Sequence, residues 1–389
     1  MSKLVQETIT AIRKVISEDS NFIPLHEPSF QGNEWEYVKD TIDSTFVSSV
    51  GKYVDRFEND LAEFTGVKRA VAVVNGTAAL HVSLTLIGIK KDDEVLIPSL
   101  TFIATANAVS YCQAIPHFVD SEEETLGVDP FKLKNYLAEI AIVKNNECFN
   151  KNTGRRIKAI IPMHTFGHSV DMDPLIEVCQ QYHIELIEDA AESLGSYYKG
   201  QHTGSFGKLS AMSFNGNKIM TTGGGGAILT NDDHLADRAK HITTTAKVPH
   251  KWEYFHDQVG FNYRMPNINA ALGCAQLEKV PNFLERKRKL AQKYITAFKI
   301  VEGISFKEET ENTYSNYWLN ALILDEDHEA IRDELLQISN DSNFMARPVW
   351  TLMNHLPMFK GCPAMDLTCA ESLERRIINI PSSASLGAR

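Results

Sequence analysis

From about residue 69 onwards, apolar positions in this chain follow two alternating rhythms. Short β-branched runs (RAVAVVN, DEVLIPS, IPHFVD, IKAIIPMH, IELIEDA, LSAMSFN and GGAILT) alternate with stretches such as TAALHVSLTLIGI and DPLIEVCQQYH, where apolar residues recur at helical spacing. Most of the runs are too apolar for a face in water. They predict strands covered on both sides by helices, in a mostly parallel seven-stranded sheet of an α/β fold. The last two runs are joined only by a lysine–glycine loop, too short for a helical crossover. They either pair antiparallel or lie apart in the sheet.

The two ends of the chain read differently. In MSKLVQETITAIRKVISEDS, residues Leu4, Ile9, Ile12, Val15 and Ile16 form a helix stripe, predicting an N-terminal helical extension over residues 1–21. Near residue 281 the pattern becomes a long charged helix, PNFLERKRKLAQKYITAF. Strand-like NYWLNALIL, helix-like HEAIRDELLQIS and a proline-punctuated end follow it. This predicts an opening segment and large domain over residues 22–280, with a smaller α+β domain over residues 281–389.

Composition narrows the function classes. With 389 residues, 43% hydrophobic and 23% charged, the chain has ample material for a sizeable soluble core. A net charge of −11 argues against a nucleic-acid partner while leaving room for a local basic pocket. The six cysteines are scattered, with no CxxC pair or Cys/His cluster, so no metal site is expected. The N-terminus is too polar for a signal peptide, and no apolar run is long enough to span a bilayer. The simplest expectation is a reduced, cytoplasmic protein with no membrane partner.

Candidate chemistry gathers at the strand exits, where open α/β sheets bind ligands. Asn75-Gly76-Thr77-Ala78 opens a helix with backbone amides and a hydroxyl suited to an anion, or is a plain N-cap. Phe102, after PSLT, is a lid over a planar ring or a core aromatic. Asp189 and Glu192 follow IELI, where a sheltered carboxylate needs a donor or a cation, or serves as a structural cap. In SFNGNKIMTTGGGG, Ser213 closes a strand, Lys218 rides a loop, and Gly223 to Gly226 permit close backbone approach. Lys218 is a solvated surface charge, or a semi-buried amine able to act as a nucleophile. Taken jointly, these groups require a phosphate, a flat ring, a basic ring nitrogen and an aldehyde. Pyridoxal 5′-phosphate has all four. Neither a Walker A sequence nor a strand–GxGxxG–helix unit is present.

The motif order NGTAAL, PSLTFIATANA, PMHTFGHSVDM, EDAAESLGS, TGSFG, SFNGNK, TTGGGG and VGFNYRMPNINAALG resembles the DegT/DnrJ/EryC1/StrS sugar aminotransferases, from about residue 22 to the terminus. The resemblance implies a fold-type-I pyridoxal-phosphate transferase that aminates a nucleotide-linked keto-sugar. It implies Lys218 as the Schiff-base lysine and Asp189 as the partner of the pyridinium nitrogen. Thr77, Ala78 and Ser213 would hold the phosphate, and Phe102 would stack on the ring. Asn262 would reach the cofactor phosphate of a neighbouring subunit in a homodimer. Three positions depart from the family: Asn215 replaces a histidine, Gly224 a glutamate, and Glu192 the glutamine or histidine that faces the cofactor's phenolic oxygen.

PLHEPSFQGNEWEYVKDTIDSTFVSSVGKYVDRFE and RPVWTLMNHLPMF are similar to the LegC-like branch, of bacillosamine and legionaminic-acid type. That branch implies transfer from L-glutamate to C4 of a UDP- or GDP-linked 2-acetamido-4-keto-2,6-dideoxy sugar. Substrate candidates are Ser48, Ser49 and Gly51 in the opening loop, His164 at a strand exit, and Arg347 with Trp350. Lys247 and Arg264 are further possible anion partners. Five of these have a structural alternative: a capped strand end for His164, salt bridging or packing for Arg347 and Trp350, surface or interface pairing for Lys247 and Arg264. Rival readings are C3 amination or dehydration on the same fold, a non-catalytic sugar-nucleotide binder, and a nicotinamide oxidoreductase.

Overall fold

Each of the seven apolar runs forms a strand in the computed structural model, which describes residues 2–16, 22–48 and 50–388. In chain order these are β1 (Arg69–Val73), β2 (Glu94–Pro98), β3 (Ile115–Val119), β4 (Arg156–Ile160), β5 (Glu185–Asp189), β6 (Leu209–Ser213) and β7 (Gly226–Thr230). Across the sheet the order is β1-β7-β6-β5-β4-β2-β3. From β6 through β3 all neighbours are parallel. All five residues of β2 and of β7 are buried, as two covered faces require. A hairpin, Ala141–Lys144 with Glu147–Asn150, adds two antiparallel strands at the start of β4.

The lysine–glycine loop resolves the open choice between its flanking strands. They pair directly and antiparallel, with Ser213 opposite Gly226, and β7 pairs antiparallel with β1 on its other side, Val73 opposite Gly226. This register brings the ends of β1 and β6 and the beginning of β7 to one edge of the sheet. Asp189, which ends β5, lies at the same edge, opposite Ala211. The edge is crowded enough to require glycine: a Cβ at Gly226 would lie 2.5 Å from the Asn75 carbonyl carbon and 2.7 Å from the Gly76 nitrogen.

The C-terminal part forms a second, antiparallel sheet in the order β8 (Ile304–Phe306), β9 (Asn320–Leu324), β11 (Ile377–Ile380) and β10 (Arg347–Pro348). The charged helix Val280–Phe298 lies against it. The N-terminal stripe forms the helix Lys3–Ile16, with residues 1 and 17–21 of the expected extension outside the described residues, and that helix does not stand apart. Val5, Ile12 and Ile16 share one apolar cluster with Leu290, Tyr294, Leu322 and Ile378. HEAIRDELLQIS becomes α-helical only from Arg332, after 3-10 turns over Glu326–Ile331. Beyond β10 the chain returns to the large sheet, where the Met353 amide donates to the Ser99 carbonyl at 3.0 Å. Among the described residues no helix is long and apolar enough to cross a membrane.

Candidate active site

A cavity of about 360 Å³ opens at the shared strand edge, lined by Thr77, Phe102, Asp189, Glu192, Ser213, Lys218 and Trp350 among others. The exits of four strands therefore bring together most of the residues singled out for cofactor binding. A larger hollow of about 930 Å³ lies by Tyr197, Leu284 and Tyr314. It holds none of the predicted chemistry, and its Arg288 is already paired with Glu309 at 2.8 Å.

Asp189 sits at one end of the cavity. Its Oδ2 accepts the Thr105 hydroxyl at 2.7 Å and its Oδ1 accepts the Ala191 amide at 3.2 Å. Burial pushes this carboxyl up from its ordinary range, opposed by those two donors and by the charges of Lys218 and His164. The donors aim the carboxylate and leave lone pairs for a proton held across the cavity.

At the anion end, the helix Gly76–Leu86 begins over β6 and β7. A Cβ at Gly76 would come within 3.0 Å of the Ser213 Cβ, so this glycine lets the helix start lie directly on the strand end. Asn75 caps the helix by accepting the Ala78 amide at 2.8 Å. The Ala78 amide thus has a partner in the cap, and the cavity wall here is formed by Asn75, Gly76, Thr77 and Ser213. Gly76 and Thr77 still open the helix with amides that have no intrahelical acceptor.

Between these ends stands Lys218. Its Nζ donates to Glu192 Oε1 at 3.1 Å and lies 3.8 Å from the centre of the Trp318 ring. The Trp318 indole N–H donates to the Asn217 carbonyl at 2.7 Å, tying the segment before β9 to the lysine loop. The second Glu192 oxygen accepts the Phe166 amide at 2.9 Å. Phe166 is left-handed at φ 56°, in a turn where Gly167 approaches Asn316 too closely for any Cβ. Burial raises the Glu192 carboxyl to about 7 against the opposing pull of Lys218 and the Phe166 amide.

Phe102 is half-exposed at the cavity wall, 6.1 Å from the Trp350 ring, and Trp350 in turn leans on Phe166 at 5.1 Å. Several expected substrate contacts lie elsewhere. His164 is fully buried, with Nε2 3.0 Å from Glu188 and Nδ1 accepting the Val170 amide, so the strand-end reading replaces the ligand reading. Ser48 is exposed, its carbonyl accepting the Asn267 amide at 2.6 Å, and Gly51 caps the helix Lys52–Thr65 against the Asn267 side chain. Ser49 lies outside the described residues. Arg347 is exposed on β10, and Asn262 is exposed beside Thr244; neither lines the cavity. Lys247 lies over the Tyr254 ring, and the Arg264 Nε is buried without a hydrogen-bond partner among the described residues.

Sequence reasoning missed Trp318 and Thr105. Trp318 was hidden inside a strand-like run, NYWLNALIL, with no spacing signal of its own. Thr105 lay within PSLTFIATANA, but nothing local pairs it with Asp189, 84 positions away.

The donor set fits pyridoxal phosphate: a glycine-backed helix start for the anion, a buried carboxylate opposite, an amine between them and an aromatic wall. The model of the DegT/DnrJ/EryC1/StrS aminotransferase family matches residues 28–388. GDP-perosamine synthase of Escherichia coli O157:H7 is 38% identical over 365 residues, covering 94% of each chain. EpsN of Bacillus subtilis, described as a pyridoxal phosphate-dependent aminotransferase, is 37% identical over 370 residues, covering 94% of this chain and 92% of its own. Among solved structures, S. venezuelae DesV in complex with a ketimine intermediate superposes with a TM-score of 0.80 at 26% identity, covering 91% of this chain and 90% of that one.

Proposed function

The chain belongs to the DegT/DnrJ/EryC1/StrS aminotransferase family and is a pyridoxal-phosphate-dependent sugar aminotransferase of fold type I; from that premise we propose that it transfers the amino group of L-glutamate to C4 of a nucleotide-linked 4-keto-6-deoxy sugar. The proposed sugar is an N-acetylhexosamine of the LegC-like, bacillosamine or legionaminic-acid type. A second reading, a GDP-linked sugar, is favoured by the product named for the Escherichia coli relative. The proposed working form is a cytoplasmic homodimer in which Asn262 reaches the partner copy's phosphate site. The observation that carries the reaction type is the meeting of Lys218 and Asp189 in one cavity with the Gly76–Thr77 helix start.

Pyridoxal phosphate, when bound, supplies an aldehyde for joining amines and a ring that takes up electrons from the substrate carbon. Thr77, Ser213 and the Gly76–Thr77 amides would hold its phosphate, Phe102 its ring and Asp189 its ring nitrogen. Asp189 holds a proton across the cavity because Thr105 and Ala191 fix its carboxylate in place. Lys218 joins and leaves through Nζ, and while free it carries a proton from the α-carbon of glutamate. Trp318 and Glu192 bound the space in which Nζ moves and shelter it from water. The same residues act in reverse order on the keto-sugar, which makes the cycle ping-pong.

The test is incubation with L-[15N]glutamate and UDP- or GDP-linked 4-keto-6-deoxy sugars, with NMR locating the label. Nitrogen on C4, absent with Lys218→Ala, supports the proposal. Nitrogen on C3, or loss of a hydroxyl without amination, overturns it.

A further inference from the structure

Phe214 donates its amide to the Gly225 carbonyl at 2.8 Å, which draws the two ends of the lysine loop together just past the paired strands β6 and β7. Asn215 follows Phe214 and Gly224 precedes Gly225, so these two positions, both departures from the family pattern, flank one backbone bond. Among the described residues, a Cβ at Gly224 or at Gly216 would meet no atom within 4 Å, and neither glycine has a positive φ. The rim beside Asn215 is therefore open.

Asn215 and Asn217 both line the cavity and are exposed at its rim, with Asn215 Nδ2 donating to Asn217 Oδ1 at 3.2 Å. Their backbones are held: the Asn215 carbonyl accepts the Lys218 amide at 3.0 Å, and the Asn217 carbonyl accepts the Trp318 indole at 2.7 Å. The carboxylates of the cavity are engaged elsewhere, Asp189 by Thr105 and Ala191, Glu192 by Phe166 and Lys218. One bond between two side-chain amides uses one N–H and one oxygen lone pair. Whichever way each amide is turned, the pair keeps a free oxygen and free N–H groups for a ligand. It carries no charge.

A ligand group that meets both amides must itself donate and accept. A carboxylate or phosphate only accepts, and would face the free amide oxygen. A hydroxyl does both from one small atom and leaves the space beside Gly224 unfilled. A secondary amide has its N–H and C=O on separate atoms, and an acetamido group adds a methyl to occupy that space. We propose that Asn215 and Asn217, with the opening left by Gly224, form a selectivity site for an acetamido group on the keto-sugar. Lys218 follows Asn217 directly in the chain, so the site lies beside the carbon on which Lys218 acts. An acetamido group at C2, two ring bonds from C4, requires that placement. This inference rests on the reading of the chain as a C4 aminotransferase of keto-sugars, and names which of those sugars it prefers.

The test is the ratio of kcat/KM for two 4-keto-6-deoxy sugars that differ only in carrying acetamido or hydroxyl at C2, compared in both the UDP and the GDP series. Because each ratio is taken on one protein, a general loss of activity cancels. Wild type should favour the acetamido sugar by about tenfold or more, the effect of one to two neutral hydrogen bonds. Asn215→Ala and Asn217→Ala should each bring the ratio toward one. Gly224→Glu has room for its side chain and no backbone strain, and by filling the opening with a charged group it should lower the ratio as well. Thermal unfolding checks that each variant is folded. A wild-type ratio near one, or a ratio that none of the variants moves, overturns the proposal, while amination of either sugar at C4 leaves the reaction itself standing. Variants that slow the glutamate half-reaction and keep the ratio would assign the pair to the amino donor, which also overturns it. If wild type aminates neither sugar, the functional reading fails and this inference fails with it.

Discussion

The Lys218 amine lies 3.8 Å from the centre of the Trp318 ring, although 100 residues separate them in the chain. The ring arrives from the segment just before β9, and its indole N–H is anchored on the Asn217 carbonyl at the neck of the lysine loop. Trp318 therefore acts on Lys218 twice, as a flat wall beside Nζ and as a brace on the backbone that carries it. A buried cation–π contact of this kind contributes about 2 kcal/mol. Trp318→Leu should lower kcat by roughly tenfold or more, with Trp318→Phe, which keeps a ring but loses the anchor, in between. Steady-state kinetics with glutamate and keto-sugar measures both.

Asp189 depends on Thr105 for its aim. A hydrogen bond to a charged group contributes about 1.5–3 kcal/mol, so Thr105→Val should cut kcat by roughly ten- to a hundredfold while leaving cofactor bound. Asp189→Asn, which removes the charge itself, should cost more than that. Equal activity of Thr105→Val and wild type would show that Asp189 needs no second donor.

Gly226 is the narrowest point of the anion end. An alanine there has no room beside Asn75 and Gly76, and the displacement should cost about 1–3 kcal/mol of stability. Because the displaced segment is the helix start, Gly226→Ala should weaken binding of pyridoxal phosphate more than binding of pyridoxal, which lacks the phosphate. Parallel titrations of the two by absorbance measure the difference.

Much of this arrangement was legible in the chain, for a physical reason. Strands buried on both faces must be mostly apolar, so β2, β5 and β7 stood out, and a polar residue ending such a strand is conspicuous. Asp189 and Ser213 were found in this way. Lys218 alone reads as a surface charge, and it was singled out only together with the other strand-exit residues. What stayed hidden is set by contacts between distant segments. The place of β7 between β1 and β6, Thr105 beneath Asp189, and Trp318 over Lys218 carry no local periodicity. His164 shows the converse, a polar strand-end residue that resembles a ligand but is consumed by Glu188 and Val170 inside the fold. The N-terminal helix was recognised from its stripe, but the partner of that stripe, the core around Tyr294, lies nearly 300 residues away.

The Glu192 carboxyl also makes a prediction about stability. Burial raises it from the ordinary 4.5 to about 7 in the folded, cofactor-free protein. The folded state therefore binds more protons than the unfolded state between these values. The resulting stabilisation is full below pH 4.5 and is lost as pH rises through 7. Its size is on the order of 3 kcal/mol. Thermal unfolding of Glu192→Gln should fall less steeply between pH 5 and 8 than that of wild type. Parallel slopes would place the Glu192 carboxyl in its ordinary range.

The proposed reaction depends on Lys218 as the point of attachment for a cofactor that carries amino groups. The most direct measurement is the visible absorption spectrum of the purified protein with pyridoxal phosphate, before and after L-glutamate. A band that forms with wild type and not with Lys218→Ala, collapses on glutamate, and returns on adding a nucleotide-linked 4-keto-sugar is the predicted result. A band that ignores glutamate, or that forms equally well without Lys218, would contradict it.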